Sequence, residues 1–279
     1  TGLARRIAYR ILQAFRPTYS GILWAFFAIG LVLALGIPSM TVRTAIMVPI
    51  AWALVKALGI PLPSRGSALI VLTAFEMAVL PGCALLTGSL WGPFISGLFT
   101  SQNIPITWLD FAAVMTVPTL IWCVLIIYAN RFALRPEEEL TLGREVVAGE
   151  IKELGPMSRS EWYTLVIVTA SLVAWASQTW HGVPPEAVGM VALTALFATS
   201  VLKTPDIATG IPWHLALFIG GALSLATIMT EYHINSWLAS HIVSALEPAA
   251  GMPITVVLSI GIGVMLVRLV EPIGFITLA

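Results

Sequence analysis

Apolar runs long enough to cross a lipid bilayer recur along the whole chain, and they limit its fold more than any other feature. A helix rises about 1.5 Å per residue, so about 20 apolar residues cross the hydrocarbon. Of the 279 residues, 58% are hydrophobic and 10% are charged, whereas a soluble domain carries about 25% charged residues. The short alternating segments of a membrane barrel do not occur. The sequence therefore predicts an all-α, polytopic membrane protein.

The charged and metal-binding residue types argue against several other functions. The formal net charge is zero, so no basic field predicts nucleic-acid binding. Cys83 and Cys123 lie inside apolar runs, and we expect neither a disulfide framework nor a metal site from them. The histidines are scattered near predicted membrane ends without ligand spacing, so a metal enzyme is not indicated. They are His181, His214, His233 and His241.

Residues 2–15 predict an amphipathic helix that lies in the membrane interface. Its apolar side chains share one helical face, and its arginines lie largely off that face. Arginines beside a span mark the cytoplasmic side of the membrane. The apolar face holds Leu3, Ile7, Ile11 and Phe15, and the arginines are Arg5, Arg6 and Arg10.

A helical hairpin is predicted over 18–59, because the apolar runs 18–36 and 44–59 are joined by a break too short to be a domain linker. The next apolar run, 66–99, contains prolines and glycines that interrupt the helical hydrogen-bond ladder, which predicts a broken transmembrane helix. A continuous helix is predicted over 108–130.

The remaining chain is predicted to contain a polar linker and further helices. Residues 131–160 carry most of the mixed charge and form a cytoplasmic linker. Lysine and arginine then fall only at alternate connections, so every span obeys one orientation. The predicted spans are 161–180, 186–202 and 212–230, followed by a second interfacial helix, 236–246, and an apolar run, 253–267.

The order of interfacial helix, apolar run and proline-containing break occurs twice. Five predicted spans separate the two copies, and this odd number places them on opposite faces of the membrane. Inverted repeats with broken helices are typical of secondary transporters. We therefore expect a first repeat over 1–130 and a second over 161–279. The chain begins without Met and stops inside an apolar run, so we expect further sequence at both ends.

The break at 37–43 has the chemistry of an anion site. Pro38 ends one arm of the hairpin, and Ser39 or Thr41 can cap the next helix. A helix N-terminus suits an anion, and the Arg43 guanidinium can hold a carboxylate or a sulfate bidentately. Alternatively, the hairpin spans the membrane fully and Arg43 extends to the headgroups on the far side.

Other polar residues inside apolar runs leave two interpretations open. Glu76 is a proton or cation site, or a structural acid held by hydrogen bonds. Arg268 and Glu271 either pair on one helix face or belong to a second half of the site. The break at 87–89 offers hydroxyls and carbonyls to a small cation or to substrate, or serves only helix packing.

These residues resemble the divalent anion:sodium symporter (DASS) family of the ion transporter superfamily. The pattern Pro-Ser-x-Thr-x-Arg-x-Ala at 38–45, followed by Pro-Ile at 49–50, is similar to its first hairpin tip. The further matches, in chain order, are Thr87-Gly88-Ser89, Trp108-Leu109-Asp110, Pro212-Trp213, Gly220-Gly221, Leu225 and Trp237-Leu238-Ala239.

The resemblance implies a homodimeric, elevator-type carrier of dicarboxylates, citrate or sulfate in the cytoplasmic membrane. Its two hairpins would be re-entrant, with tips that bind substrate and sodium. Met40 stands where the family's Ser-Asn-Thr tip has Asn, Gly92 replaces a further Asn, and Arg43 replaces a Thr. A similar arginine occurs in the family's plastid-type translocators, which exchange anions. Sodium coupling and anion exchange therefore both remain open.

The predicted site combines both tips and the break in the helix between them. Substrate is expected at Ser39, Thr41, Arg43 and Thr44, and at Pro272, Gly274 and Thr277. A coupling sodium ion is expected at Ser39, Gly82, Thr87, Gly88 and Ser89. The expected partners are a small anion, the lipid bilayer and a second copy of the chain. A transport-inactive or diverged membrane subunit of the same fold is the alternative function.

Overall fold

The computed structural model describes residues 2–16, 18–89, 91–101, 104–136, 140, 154–206, part of 213–240 and 253–270. All regular secondary structure in these residues is helical, which confirms the all-α class. The chain forms two compact units, Thr1–Lys203 and Thr204–Ala279. The boundary between these units differs from the boundary between the predicted repeats. The repeats concern duplication within the chain, and they stay a prediction.

The first helix, α1 (Leu3–Ala14), packs against the protein more closely than the sequence indicates. Arg5 and Arg10 are exposed, as expected. Arg6 was expected off the apolar face, but its side chain is buried because other parts of the chain supply its hydrogen-bond acceptors. The expectation that Arg6 lies off the buried face of α1 is therefore wrong, and the position of α1 at the membrane interface stays a prediction.

The predicted hairpin consists of α2 (Tyr19–Gly36) and α3 (Met40–Ala57), joined by three residues. Thr18 and Ser39 cap the two helices by accepting hydrogen bonds from the backbone N–H groups of Gly21 and Val42. Each helix has 18 residues and is about 27 Å long. Because the Ser39 cap starts α3 four residues earlier than predicted, Arg43 is helical and does not lie in the connection.

The predicted break after residue 66 is present in the structure. α4 (Arg65–Val79) ends in a 3-10 segment (Leu80–Ala84), and α5 (Trp91–Ser101) follows. Pro81 accounts for part of this break, since it has no backbone N–H to donate. Both hairpin helices pack along α4. Their shared core includes Phe26, Ile29, Met47, Ile70 and Met77.

The helix predicted over 108–130 is α6 (Trp108–Ala133), which begins with a capping box made by Thr107 and Asp110. In its described residues the first unit contains three further helices, and the predicted span 161–180 is divided between the first two. They are α7 (Arg159–Ala176), α8 (Gln178–His181) and α9 (Pro185–Ala198). The second unit contains α10 (Pro253–Val270).

Within the described residues, four helices are long and apolar enough to cross a membrane. On α6 a stripe of large apolar side chains is more than half exposed, as expected for a surface that faces lipid. The chain is therefore a multi-pass membrane protein. The four helices are Tyr19–Gly36, Met40–Ala57, Arg65–Ala84 and Trp108–Ala133, and the stripe is Val114, Val117, Ile121, Trp122 and Leu125.

Several predictions fall on residues outside the described ranges. Most of the linker 131–160, part of the helices 212–230 and 236–246, and the second tip beyond residue 270 belong to this group. The inverted repeat and the re-entrant geometry of the hairpins therefore stay predictions.

Candidate functional site

Arg43 lies in the first turn of α3, and its side chain is completely buried, with 0% exposure. Its guanidinium donates to four backbone carbonyl oxygens. Nε donates to Ala78 at 2.7 Å, and Nη1 donates to Gly88 at 2.8 Å and to Ile37. Nη2 lies 3.4 Å from the carbonyl oxygen of Val79. We call these five residues the Arg43 cluster.

The acceptors in the Arg43 cluster are carbonyls that helix ends leave unpaired. Ala78 and Val79 belong to the last turn of α4, whose final carbonyls have no partner within the helix. Ile37 caps the C-terminus of α2, and Gly88 lies in the segment that follows the 3-10 turn. A cation is favourable at a helix C-terminus. One arginine therefore ties the hairpin connection to both sides of the break after α4.

Two of the predicted ion-binding glycines lie against this arginine, in positions where only glycine fits. A Cβ atom on Gly82 would lie 2.5 Å from the Gly88 carbonyl oxygen and 3.0 Å from Cζ of Arg43, and closer still to Nη2. A Cβ atom on Gly88 would overlap the Gly82 carbonyl oxygen. The absence of two side chains is what allows the guanidinium to reach the backbone.

The hydroxyl residues of the first tip have different environments. Ser39 and not Thr41 provides the N-cap of α3, with its oxygen 3.3 Å from the Val42 nitrogen. Ser39 and Thr44 are half-buried, and Thr41 is exposed. Ser39 immediately precedes α3, and Thr41 and Thr44 lie in its first turns, close in sequence to Arg43.

The loop between the 3-10 turn and α5 is held by α6. The indole N–H of Trp108 donates to the Thr87 hydroxyl at 3.0 Å, and the Trp108 backbone N–H donates to the Gln178 side chain at 3.1 Å. Ser89, another predicted ion-binding residue, is 4% exposed. Sequence reasoning did not assign these roles to Trp108 and Gln178. The only local signal was an indole at a helix start.

No carboxylate is found paired with Arg43 within the described part of the chain, where its contacts are backbone carbonyls. The carbonyls of the Arg43 cluster use four of the five guanidinium N–H groups. These bonds solvate the charge without cancelling it. The alternative in which Arg43 extends to lipid headgroups is wrong, because its side chain is enclosed by the protein.

A second buried arginine joins distant parts of the chain. Arg6 makes two hydrogen bonds to the Glu161 carboxylate, at 3.0 and 3.1 Å, and one to the Gly155 carbonyl at 2.8 Å. Glu161 lies in the first turn of α7, outside the four long apolar helices. The hydrogen bonds from Arg6 lower the pKa of the Glu161 carboxyl below its usual value. Ser158 and Glu161 also form the capping box that begins α7.

The second half of the predicted site lies outside the described residues. It contains Pro272, Gly274 and Thr277, with the neighbouring Glu271. In the described residues no group of three or more His, Cys, Asp or Glu side chains is placed to hold a metal ion. The structure thus brings together Arg43, Gly82 and Gly88. Direct contact of any residue with substrate stays a prediction.

The fold and this polar break define a class of polytopic membrane proteins whose apolar helices are interrupted around a buried cation. The family described as the sodium:sulfate symporter transmembrane region matches residues 1–269. The chain therefore belongs to this family of membrane transport proteins, and the resemblance to the DASS family is confirmed.

Similar curated proteins come from bacteria and a plant. The chain is 25% identical over 260 residues to the putative malate transporter YflS of Bacillus subtilis, covering 88% of this chain and 53% of the relative. It is 23% identical over 250 residues to the inner membrane protein YbhI of Escherichia coli, covering 86% and 51%. It is 21% identical over 145 residues to the chloroplastic dicarboxylate transporter 2.1 of Arabidopsis thaliana, covering 51% and 25%. The chain spans about half the length of the bacterial relatives.

Proposed function

We propose that this chain forms part of a secondary carrier for small divalent anions, with dicarboxylates as the main substrates and sulfate or citrate as further candidates. The family and the names of two relatives support this substrate class. The observation that carries the proposal is the completely buried Arg43, whose charge meets carbonyl dipoles and no described carboxylate. A buried cation that no described carboxylate contacts favours binding of an anion inside a membrane protein.

The geometry changes the role that we assign to Arg43. Most of its N–H groups are already used by the protein, so a bidentate contact with substrate is not its main contribution. We propose that Arg43 acts through its charge, while the hydroxyls and backbone N–H groups of the first α3 turns contact the anion. Ser39, Thr41 and Thr44 supply these hydroxyls. The positive end of the α3 dipole acts in the same direction as the arginine.

We also propose that the fixed charge of Arg43 replaces part of the charge that a coupling sodium ion would bring. The carrier would then exchange anions, or would depend only weakly on sodium. An elevator-type movement and a homodimeric assembly complete the proposal, as expected for this family.

The test is uptake of labelled succinate, malate and sulfate by proteoliposomes that contain the full-length protein, with and without a sodium gradient. Arg43→Ala is expected to reduce uptake strongly, and Arg43→Lys is expected to keep part of it because the charge is retained. Arg10→Ala removes an exposed arginine of α1 and serves as the control. Each variant is first checked for monodispersity, and the same samples give the number of subunits.

Two results would contradict the role of Arg43: strict dependence on sodium, or unchanged uptake in Arg43→Ala. Failure of all three anions to bind would favour the transport-inactive subunit. Binding is checked separately by thermal unfolding, since a ligand at about 100 times its Kd stabilises the native state by about 2.7 kcal/mol.

A further inference from the structure

A polar contact inside the apolar part of the chain joins α4 to α6. The side-chain amide of Asn130 donates to the Thr73 hydroxyl at 3.2 Å and to the Glu76 carboxylate. Thr73 is completely buried, and Glu76 and Asn130 are half-buried. The hydrogen-bond donor to the Glu76 carboxylate is thus the neutral amide of Asn130. In a structural ion pair this donor would be a cation.

The cations near α4 in the described structure are directed elsewhere. Arg43 is bound by its carbonyls, Lys56 lies over the Trp52 ring at 5.5 Å, and Arg131 lies over the Tyr19 ring at 5.9 Å. The described titratable groups on the elements packed against α4 are Tyr19, Arg43, Lys56, Cys83, Asp110, Cys123, Tyr128 and Arg131. No salt bridge is found between Glu76 and any described residue.

Glu76 and part of the Arg43 cluster share one helical turn. Glu76 belongs to the last turn of α4, two and three residues before the Ala78 and Val79 carbonyls that bind Arg43. The C-terminal end of a helix is its negative pole, which opposes a carboxylate there. Ionised Glu76 is therefore sensitive to any further negative charge that enters the site.

The sum of the charges on Arg43, Glu76 and a bound anion determines when the Glu76 carboxylate takes up a proton. Before an anion binds, the formal charges of Arg43 and ionised Glu76 sum to zero, although the two side chains are not paired. A divalent anion adds two negative charges, and one proton on Glu76 halves the excess. Because net charge is costly inside the bilayer, binding of the anion and protonation of the carboxylate favour each other.

We propose that Glu76 is a proton-binding site that takes up a proton from water when a divalent anion binds, so that proton and anion move together. The carboxylate becomes a carboxylic acid, and no other bond changes. This inference rests on the proposed function, because it requires an anion at the Arg43 cluster. It adds a coupling ion that is independent of sodium.

Proton uptake is measured on the full-length protein in weakly buffered detergent solution, by a pH indicator, as sulfate or succinate is added. Sulfate remains a dianion in the neutral range, so any proton taken up belongs to the protein. The wild type is expected to take up about one proton per bound anion. Glu76→Gln is expected to bind the anion without uptake. Asp110→Asn removes an exposed carboxylate of α6 and should behave as the wild type.

Glu76→Asp keeps a carboxyl group and is expected to keep proton uptake, which covers the case in which Glu76→Gln does not fold. Anion binding by the wild type without proton uptake would overturn the inference, and so would equal uptake by the wild type and Glu76→Gln.

Infrared difference spectra of the wild type against Glu76→Gln separate this inference from the proposed function. A protonated-carboxyl band that changes with pH over the range in which the protein is folded, and that is absent from the variant, would support Glu76 as a proton site even if none of the anions binds. A Glu76 that stays ionised over this range, with and without sulfate, would overturn the inference even if the protein transports anions.

Discussion

Replacing Gly82 by Ala tests whether close approach to the backbone is what holds Arg43. Non-bonded carbon and heavy atoms approach to about 3.5 Å, but the new Cβ atom would lie 2.5 Å from the Gly88 carbonyl oxygen and 3.0 Å from Cζ of Arg43. The guanidinium or the Gly88 backbone must therefore move by about 1 Å. Either movement weakens hydrogen bonds between Arg43 and the carbonyls.

The expected magnitude follows from the bonds at risk. A hydrogen bond to a charged group contributes about 1.5–3 kcal/mol, and overpacking a tight site costs about 1–3 kcal/mol. A combined destabilisation of about 3–5 kcal/mol lowers Tm by about 6–20 °C for a protein of this size. The measurement is thermal unfolding of the purified full-length protein in detergent.

The matched control is Gly97→Ala in α5, where the new Cβ atom meets no atom within 4 Å. Alanine is favoured over glycine in a helix by about 0.5–1 kcal/mol, so this variant should be as stable as the wild type or slightly more stable. A Tm for Gly82→Ala within about 2 °C of that for Gly97→Ala would refute the close-approach argument. The cost of Gly82→Ala should also be smaller in an Arg43→Ala background, because the two residues are in contact.

Two further contacts give testable predictions. Arg6→Ala leaves the buried Glu161 carboxylate without its partner and should cost about 3–5 kcal/mol in thermal unfolding; a cost similar to that of Arg10→Ala would contradict this. Since the pKa of Glu161 is lowered in the folded state, its stabilising effect is present above the ordinary carboxyl pKa and lost as pH falls through the lowered value. The Tm difference between the wild type and Glu161→Gln should therefore shrink in acid. Trp108→Phe and Thr87→Val should show a coupling of about 0.5–1.5 kcal/mol in a double-mutant cycle, and additive effects would exclude the hydrogen bond between them.

The sequence predicted the helices well where apolar runs end at clear signals. α2 begins within one residue of its predicted start and ends at the predicted residue, just before the break at Pro38. The sequence pattern placed the start of α3 too late. Polarity alone assigned Arg43 to the connection between the two helices. The Ser39 cap and the carbonyls around Arg43 make a buried arginine compatible with a helix.

The partners of the polar side chains could not be predicted. Glu76 and Asn130 are 54 residues apart, Thr87 and Trp108 are 21 apart, and Arg6 and Glu161 are 155 apart. Hydropathy and capping patterns describe the order of residues along one helix, whereas these contacts depend on which helices become neighbours. The sequence therefore identified Glu76 and Thr87 as polar groups inside apolar runs, and only the structure supplied their partners.

The 155-residue separation between Arg6 and Glu161 also sets an order of events during synthesis. At about 5–20 residues per second, Glu161 is made about 8–30 s after Arg6. During this interval the hairpin, α4 and α6 are made while Arg6 has no bond to Glu161. The bond that fastens the beginning of the chain is thus among the late contacts to form, and a ribosome that stalls before α7 would leave α1 undocked.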